Sequence, residues 1–211
     1  MKLAEYHRGT KRAFFVAVEG PDGLGKTTQV ARLATALKHR GYDTAAQVAP
    51  AAGYAYYGQI RALLADGAMK NPLFLQALMV ANRVDWQARA LLPMLYEQRF
   101  IVMDRWNASG HVYGLASGLA DDVIETLMSD IYDADLTIIL TGRPHRQEGR
   151  DEYERDPAFQ TAVAKGYEEW AAKRPGEAIS IDGDRPPPEV TRDIVAAVLL
   201  AAGMVSKNEI E

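Results

Sequence analysis

Residues 19–28 read EGPDGLGKTT, a stretch suited to holding a chain of phosphates. Gly20, Gly25, Lys26 and Thr27 have the spacing G-x-x-x-x-G-K-[ST]. Glycines let successive backbone N–H groups turn toward one anion, the lysine reaches the β- and γ-phosphates, and the threonine hydroxyl binds Mg²⁺. The motif follows an apolar run and precedes a helical pattern, the context that a nucleotide site requires. The predicted ATP-binding residues are Gly20, Pro21, Asp22, Gly23, Leu24, Gly25, Lys26, Thr27 and Thr28.

A second pair of candidate residues, Asp104 and Arg105, lies in the apolar run FIVMDRW at 100–106. An aspartate that ends a buried strand beside the phosphate loop is suited to hold Mg²⁺ through water. The arginine offers a planar fork that matches a phosphate group. The alternative is a surface Asp–Arg pair at a strand end, but the phosphate loop nearby favours the functional interpretation.

A charged segment at 141–156, TGRPHRQEGRDEYERD, carries Arg143, Arg146 and Arg150. Such charge runs are usually solvated loops. An enzyme that transfers a phosphoryl group, however, needs cations over that group and a cover that excludes water. We therefore predict that 141–156 forms a mobile lid.

Short apolar runs alternate with helical patterns along the chain, which is typical of a parallel α/β sheet with helices on both faces. Residues 30–37 have apolar side chains at helical spacing, and Asn71 before Pro72 predicts the start of a long helix. Pro93 should kink or divide that helix. Further helix starts are predicted at 121–122 and 186–190, and strands at 13–20, 44–49, 100–106, 135–142 and 178–183.

The composition indicates one soluble domain that spans residues 1–211, in which 13–28 form the first strand and the phosphate loop. The net charge of −4 argues against nucleic-acid binding, and the lack of cysteine excludes a thiol nucleophile. The first twelve residues have no apolar signal core, and the apolar run at 194–205 is too short to span a bilayer. We therefore expect a cytoplasmic protein that does not bind membranes.

Other catalytic motifs are missing from the sequence. The four histidines have no metal-binding spacing, and no serine lies in a G-x-S-x-G motif. The absence of N-K-x-D, and of D-x-x-G after the third strand, weakens a GTPase interpretation. Three interpretations stay open: a nucleotide kinase, a phosphate-loop kinase of a nucleoside or other small metabolite, and a non-enzymatic ATP-dependent switch.

These motifs together resemble the thymidylate kinase family, P-loop enzymes that move the γ-phosphoryl group of ATP onto dTMP. Its specific features are the acidic third residue of the loop, DR-x-x-x-S after the third strand, and DEYE before a helix. The likeness runs from FFVAVEGPDGLGKTTQ through GQIRALL, ANR and DADLTIIL to SIDGDRPPPEV. It implies a three-layer P-loop NTPase fold with strand order 2-3-1-4-5, Mg²⁺ with ATP as donor, a deoxynucleoside monophosphate as acceptor, and a homodimer.

The resemblance also implies roles for residues around the acceptor. An acidic residue at the position of Asp22 hydrogen-bonds the 3′-hydroxyl of the deoxynucleotide in that family. By the same likeness, Arg61 and Arg105 hold the phosphate of the acceptor. Arg83 would reach the base, and Tyr113 would lie under the sugar and disfavour a 2′-hydroxyl.

The resemblance implies further roles for the predicted lid. Family members without an arginine at the positions of Gly23 and Leu24 carry their catalytic arginines in the lid, which fits Arg146 and Arg150. Glu154, in DEYE, matches a family position near the phosphates or the metal. The further predicted substrate-binding residues are Pro50, Met79, Ser109, Gly110 and Gly114.

The chain departs from the family at the positions that read the base. Met79 stands where a phenylalanine usually stacks on thymine, and Gly110 and Gly114 replace polar residues. Two glycines remove hydrogen-bond partners and should leave space beside the base. We therefore expect the enzyme to read the base loosely, or to accept a base other than thymine.

Overall fold

Five parallel strands form one sheet in the order β2-β3-β1-β4-β5. The computed structural model describes residues 13–65, 70–97, 99–143, 153 and 155–206. The predicted fold class, strands and strand order are confirmed. The strands are β1 Phe14–Glu19, β2 Thr44–Val48, β3 Phe100–Asp104, β4 Leu136–Thr141 and β5 Ala178–Asp182.

Helices pack around this sheet, and each predicted helix start is observed to within a residue. The Asn71 side chain accepts a hydrogen bond of 3.1 Å from the Phe74 amide, so Asn71 caps the helix that begins at Pro72. The helices are α1 Lys26–His39, α2 Tyr57–Ala65, α3 Pro72–Trp86, α4 Leu92–Met94, α5 Asn107–Ala116, α6 Asp121–Met128, α7 Pro157–Ala172 and α8 Pro187–Ala201.

A π-helical turn at Gln87–Leu91 separates α3 from α4. Pro93 lies just after this turn and has no backbone N–H with which to continue the regular helical hydrogen bonds. The regular α-helix is therefore interrupted just before Pro93, close to the point where the sequence predicts a kink or a division. No helix in the described part of the chain is long and apolar enough to cross a membrane.

Strand β1 is buried on both of its faces, as its unbroken apolar sequence requires. Val16 and Val18 pack toward α1 and α8, while Phe15 and Ala17 pack on the opposite side against Trp86 and Trp106. The two tryptophan rings meet edge to face with centroids 5.3 Å apart. This packing on both sides holds β1 firmly at the centre of the sheet.

The carboxyl ends of β1 and β3 lie side by side, with Val18 paired to Asp104. The phosphate loop follows β1, and Arg105 follows β3. The sheet therefore brings both predicted chemical groups to the same edge, where ligands bind in parallel α/β proteins.

Candidate active site

The phosphate loop is shaped by glycine conformations between β1 and α1. Gly20 has φ +135°, and a Cβ built there would lie 2.4 Å from the Leu140 carbonyl oxygen. Gly25 has φ +74° and precedes the first residue of α1. Both positions therefore require glycine. The Lys26 side chain is buried, and its Nζ donates to the Pro21 carbonyl oxygen at 2.6 Å.

The ammonium group of Lys26 lies among other charges at the sheet edge. Its Nζ is 3.8 Å from Asp22 Oδ1. Burial, followed by repulsion from Arg105, lowers the pKa of Lys26 to about 8, and attraction from Asp22, Asp104 and Glu19 offsets only part of this change. A phosphate chain at the loop would supply the negative charge that this buried ammonium lacks.

Thr27 and Asp104 form the candidate metal position. The Thr27 hydroxyl donates to Asp104 Oδ2 at 2.5 Å, and Asp104 is almost wholly buried at the end of β3. The described residues contain no cluster of three or more His, Cys, Asp or Glu that could hold an ion by themselves. This donor set fits Mg²⁺, which usually keeps several waters and binds through one or two protein oxygens plus substrate phosphates.

Arg105, Asp22 and Tyr113 form a cluster beside the loop. The Arg105 guanidinium pairs with Asp22 Oδ1, while the Tyr113 hydroxyl donates to Asp22 Oδ2 at 2.5 Å. Gln160 Nε2 also reaches Asp22 Oδ2, at 3.5 Å. Arg105 has φ +66°, a conformation rare for residues other than glycine, and its guanidinium lies over the Tyr113 ring at 5.2 Å.

Electrostatics keep this cluster charged. Burial alone would raise the pKa of Asp22, but attraction from Arg105 and Lys26, with hydrogen bonds from Tyr113 and Gln160, lowers it below its ordinary value. Burial raises the pKa of Tyr113 well above its usual range, so its hydroxyl stays protonated and donates. The cluster thus presents a fixed cation and a carboxylate with spare acceptor capacity.

Glu19 holds the start of α5 against β1. This wholly buried carboxylate accepts hydrogen bonds from the amides of Trp106, at 2.6 Å, and Ser109, at 3.1 Å. Its other oxygen accepts from the Ser109 hydroxyl at 2.5 Å and from the Tyr167 hydroxyl at 3.2 Å. Both hydroxyls also accept from Arg105 Nη1, so Glu19 positions Arg105 through them.

A cavity of about 740 Å³ joins these groups at the sheet edge. Most of the predicted site residues line it, so the sequence-based prediction and the geometry converge on one place. The predicted residues that line the cavity are Asp22, Gly23, Leu24, Gly25, Lys26, Thr27, Thr28, Pro50, Arg61, Met79, Arg83, Asp104, Arg105, Ser109, Tyr113 and Gly114.

Other predicted residues do not contribute to the described wall. Gly20 and Pro21 shape the loop from behind, and Gly110 lies behind the cavity wall on α5. Arg146, Arg150 and Glu154 lie outside the described residues, as does most of the predicted lid at 141–156.

Arg83 lies on α3 and faces the cavity with unused donors. Its side chain is buried, yet Nε and Nη1 have no hydrogen-bond partner among the described residues. Burial lowers the pKa of Arg83 to about 10, although attraction from Glu19 opposes this change. A buried guanidinium with free N–H groups calls for an acceptor-rich ligand.

Comparison with known proteins agrees with this geometry. A family model described as thymidylate kinase matches residues 18–194. A thymidylate kinase from Dinoroseobacter shibae is 32% identical over 207 residues, which cover 92% of this chain and 100% of the relative. The chain belongs to the thymidylate kinase family. A thymidylate kinase from Rhizorhabdus wittichii is 34% identical over 87% of this chain and 96% of its own length. One from Methylococcus capsulatus is 33% identical over 82% and 88%.

The prediction of empty space beside Gly110 and Gly114 is wrong for this member of the thymidylate kinase family. A Cβ on Gly110 would lie 2.4 Å from the Met128 sulfur, and one on Gly114 would lie 2.8 Å from Ile124 Cδ1. Both side chains come from α6, which packs directly onto α5 at these positions. The glycines therefore permit close helix packing instead of opening room for a larger base.

Sequence reasoning missed several polar residues of this thymidylate kinase site. Glu19 is not among the predicted site residues, although a carboxylate at the end of a buried apolar strand indicates a buried polar contact. Gln160 and Tyr167 are seven residues apart on α7 and so share one helix face. Nothing in the local sequence links that face to Asp22 and Glu19, because the contacts depend on how α7 packs.

Proposed function

We propose that this protein transfers the γ-phosphoryl group of ATP to dTMP and releases ADP and dTDP. The observation that carries this proposal is that the phosphate loop and the cluster of Asp22, Arg105 and Tyr113 open into one cavity. A switch protein needs only the first of these features, whereas a kinase needs an acceptor site beside it.

On the donor side, the loop amides and the N-terminus of α1 hold the β-phosphate, and Lys26 neutralises charge toward the γ-phosphate. Thr27 and Asp104 would hold Mg²⁺ with the nucleotide. When bound, the ion neutralises charge on the phosphate oxygens. The arrangement puts preorganised positive charge where negative charge develops during phosphoryl transfer.

On the acceptor side, Arg105 is a fork suited to the phosphate of dTMP, and the exposed Arg61 on α2 supplies a second cation. Asp22 already accepts from Arg105, Tyr113 and Gln160, and a carboxylate has about four acceptor positions. One of these remains for the 3′-hydroxyl. The Tyr113 ring then borders the sugar, where it leaves little space for a 2′-hydroxyl.

The reaction itself is an in-line displacement. An anionic oxygen of the dTMP phosphate attacks the γ-phosphorus, and the bond to the β,γ-bridging oxygen breaks as ADP leaves. The attacking oxygen is already deprotonated, so no residue acts as a strong base. In the same proposal, Arg146 and Arg150 cover the transferring group, and Glu154 lies near the phosphates or the metal.

We further propose that the protein forms a homodimer. Large apolar side chains are exposed along α3, which suits a homodimer that covers this helix. These side chains are Leu73, Phe74 and Val84. Light scattering coupled to size-exclusion chromatography measures the assembly directly. We propose that the protein works in the cytoplasm, with ATP and dTMP as its partners.

A coupled assay of ADP release tests the function. ADP should appear with Mg-ATP only after a deoxynucleoside monophosphate is added, and thymidine should not replace dTMP. Activity on thymidine but not on dTMP would indicate a nucleoside kinase. ATP binding without any acceptor-dependent turnover would indicate a switch and refute the proposal.

A further inference from the structure

Gln76 places a buried amide on the wall of the cavity. It lies on α3, is 6% exposed and borders the cavity directly. Its Nε2 donates to the Gly110 carbonyl oxygen at 3.0 Å and lies 3.8 Å from the Met128 sulfur. Because a carbonyl oxygen only accepts, this bond fixes which end of the amide is the NH₂ group. Oε1 makes no hydrogen bond to any described residue.

The Gln76 amide lies beside two positions of α5 that have no side chain, Gly110 and Gly114. The Cβ directions of Gly110 and Gly114 point to within 3.4 Å of Gln76 Nε2 and 3.9 Å of Gln76 Cδ, respectively. Met128 and Ile124 fill the remaining space beside the two glycines. Gln76 therefore supplies, from α3, the polar group that α5 lacks at this part of the wall.

Gln76 shares one face of α3 with Met79 and Arg83. The three residues are spaced at three and four positions, which places them on successive turns, and all three line the cavity. Among the residues that the structure describes, Arg83 has N–H donors without partners and Gln76 has a carbonyl oxygen without one. A ligand that satisfies both must present an acceptor to Arg83 and a donor to Gln76.

We propose that Gln76 is a specificity-determining residue whose Oε1 accepts a hydrogen bond from the N3–H of thymine, while Arg83 donates to the O4 oxygen. This inference rests on the proposed function, because it concerns the acceptor that the kinase selects. Met79 then packs on the base as an apolar neighbour.

This donor and acceptor pattern discriminates between bases. Thymine and uracil present a keto oxygen beside an imino N–H, which complements Arg83 and Gln76. Cytosine presents an amino group toward Arg83 and a ring lone pair toward Oε1, so both contacts are mispaired. Adenine has the same defect. Buried polar groups left unpaired make such sites selective. Guanine carries the matching keto and imino groups, so only its size can exclude it.

Gln76→Met tests the inference because it keeps the length of the side chain and removes both polar atoms. The ratio of kcat/KM for dTMP to that for dCMP should fall about 10- to 100-fold in this variant. Gln76→Glu keeps an oxygen acceptor but loses the donor to Gly110, so it should lower activity on both substrates and change their ratio less than about threefold.

Gln87→Met is the matched control. Gln87 is also buried, its Nε2 donates to the Asp130 carbonyl oxygen at 2.9 Å, and it does not line the cavity. Its Oε1 accepts from the Tyr132 amide at 2.6 Å. This variant should lower Tm as any lost buried amide does, while the ratio for dTMP over dCMP stays at the wild-type value.

The outcomes separate this inference from the proposed function. A wild-type protein that phosphorylates no monophosphate refutes both. An active wild type whose ratio is unchanged in Gln76→Met, or falls equally in Gln76→Glu, refutes the reading role alone and leaves Gln76 as a tie between α3 and α5. If the variants do not fold, the wild type decides: it should prefer dTMP over dCMP by at least about 100-fold, and a ratio near one overturns the inference.

Discussion

Lys26 should make the use of ATP decline at a lower pH than an ordinary lysine would allow. Its pKa of about 8, set first by burial and then by the charge of Arg105, leaves roughly nine-tenths of the ammonium groups charged at pH 7 and roughly one-tenth at pH 9. The kcat/KM for Mg-ATP reports on the free enzyme. It should therefore fall about tenfold between pH 7 and pH 9.

The assay follows ADP release from pH 6.5 to 10 at constant ionic strength and at a dTMP concentration well below its KM, so that free enzyme predominates. Bound phosphates favour the ammonium form, so kcat at saturating ATP should decline only at higher pH than kcat/KM. Lys26→Arg keeps its charge throughout this range, so its residual activity should lose the decline near pH 8. The reasoning is refuted if wild-type kcat/KM stays flat to pH 10, or if Lys26→Arg shows the same decline.

The same shift predicts a stability effect with a definite sign. The folded pKa of about 8 lies below the ordinary 10.5, so the buried charge costs about 3 kcal/mol below pH 8, and this cost is relieved as the pH rises to 10.5. Lys26→Met removes that cost and loses one hydrogen bond worth about 1 kcal/mol. Its unfolding free energy in urea should exceed that of wild type at pH 7 by about 2 kcal/mol, and exposed Lys38→Met should not.

Three further variants separate the roles of Arg105, Asp22 and Glu19. Arg105→Ala should raise the KM for dTMP, with a loss of about 1.5–3 kcal/mol in transition-state binding, while the KM for ATP stays within a few-fold; lost ATP affinity instead would put Arg105 on the donor side. Asp22→Ala should lower kcat/KM for dTMP but make little difference with 3′-deoxy-dTMP, and an equal loss on both would exclude contact with the 3′-hydroxyl. Glu19→Gln should lower the unfolding free energy by about 1–3 kcal/mol and should also reduce kcat. A variant with wild-type stability and wild-type kcat would contradict the positioning role of Glu19.

The fold was predictable because its determinants are local. A buried strand such as Phe14–Glu19 is recognisable from its run of apolar residues, and Asn71 before Pro72 indicates the start of a helix. The phosphate loop is also contiguous, so one motif identifies most of the donor site. In each case, the residues that determine the feature are neighbours in the chain.

The proposed acceptor half of the site was less predictable because distant elements complete it. Gly110 and Gly114 indicated empty space, yet the occupancy of that space is decided by Met128 and Ile124 on another helix. The sequence around Gln76 gives no sign of its contact with Gly110, because that contact depends on how α3 crosses α5. Packing between helices that are far apart in sequence cannot be deduced from the composition of either one.

The carboxylate of Glu19 also makes the two helix ends at this edge of the sheet electrostatically unequal. A helix N-terminus attracts anions through its free amides and its dipole. At α1 those amides are open to a phosphate chain, whereas at α5 the amides of Trp106 and Ser109 already donate to Glu19. In the proposed function, the backbone amides at α1 therefore bind the polyphosphate of the donor, while the monophosphate of the acceptor relies on the side chain of Arg105. We therefore expect this difference between the two helix ends to favour one orientation of donor and acceptor in the cavity.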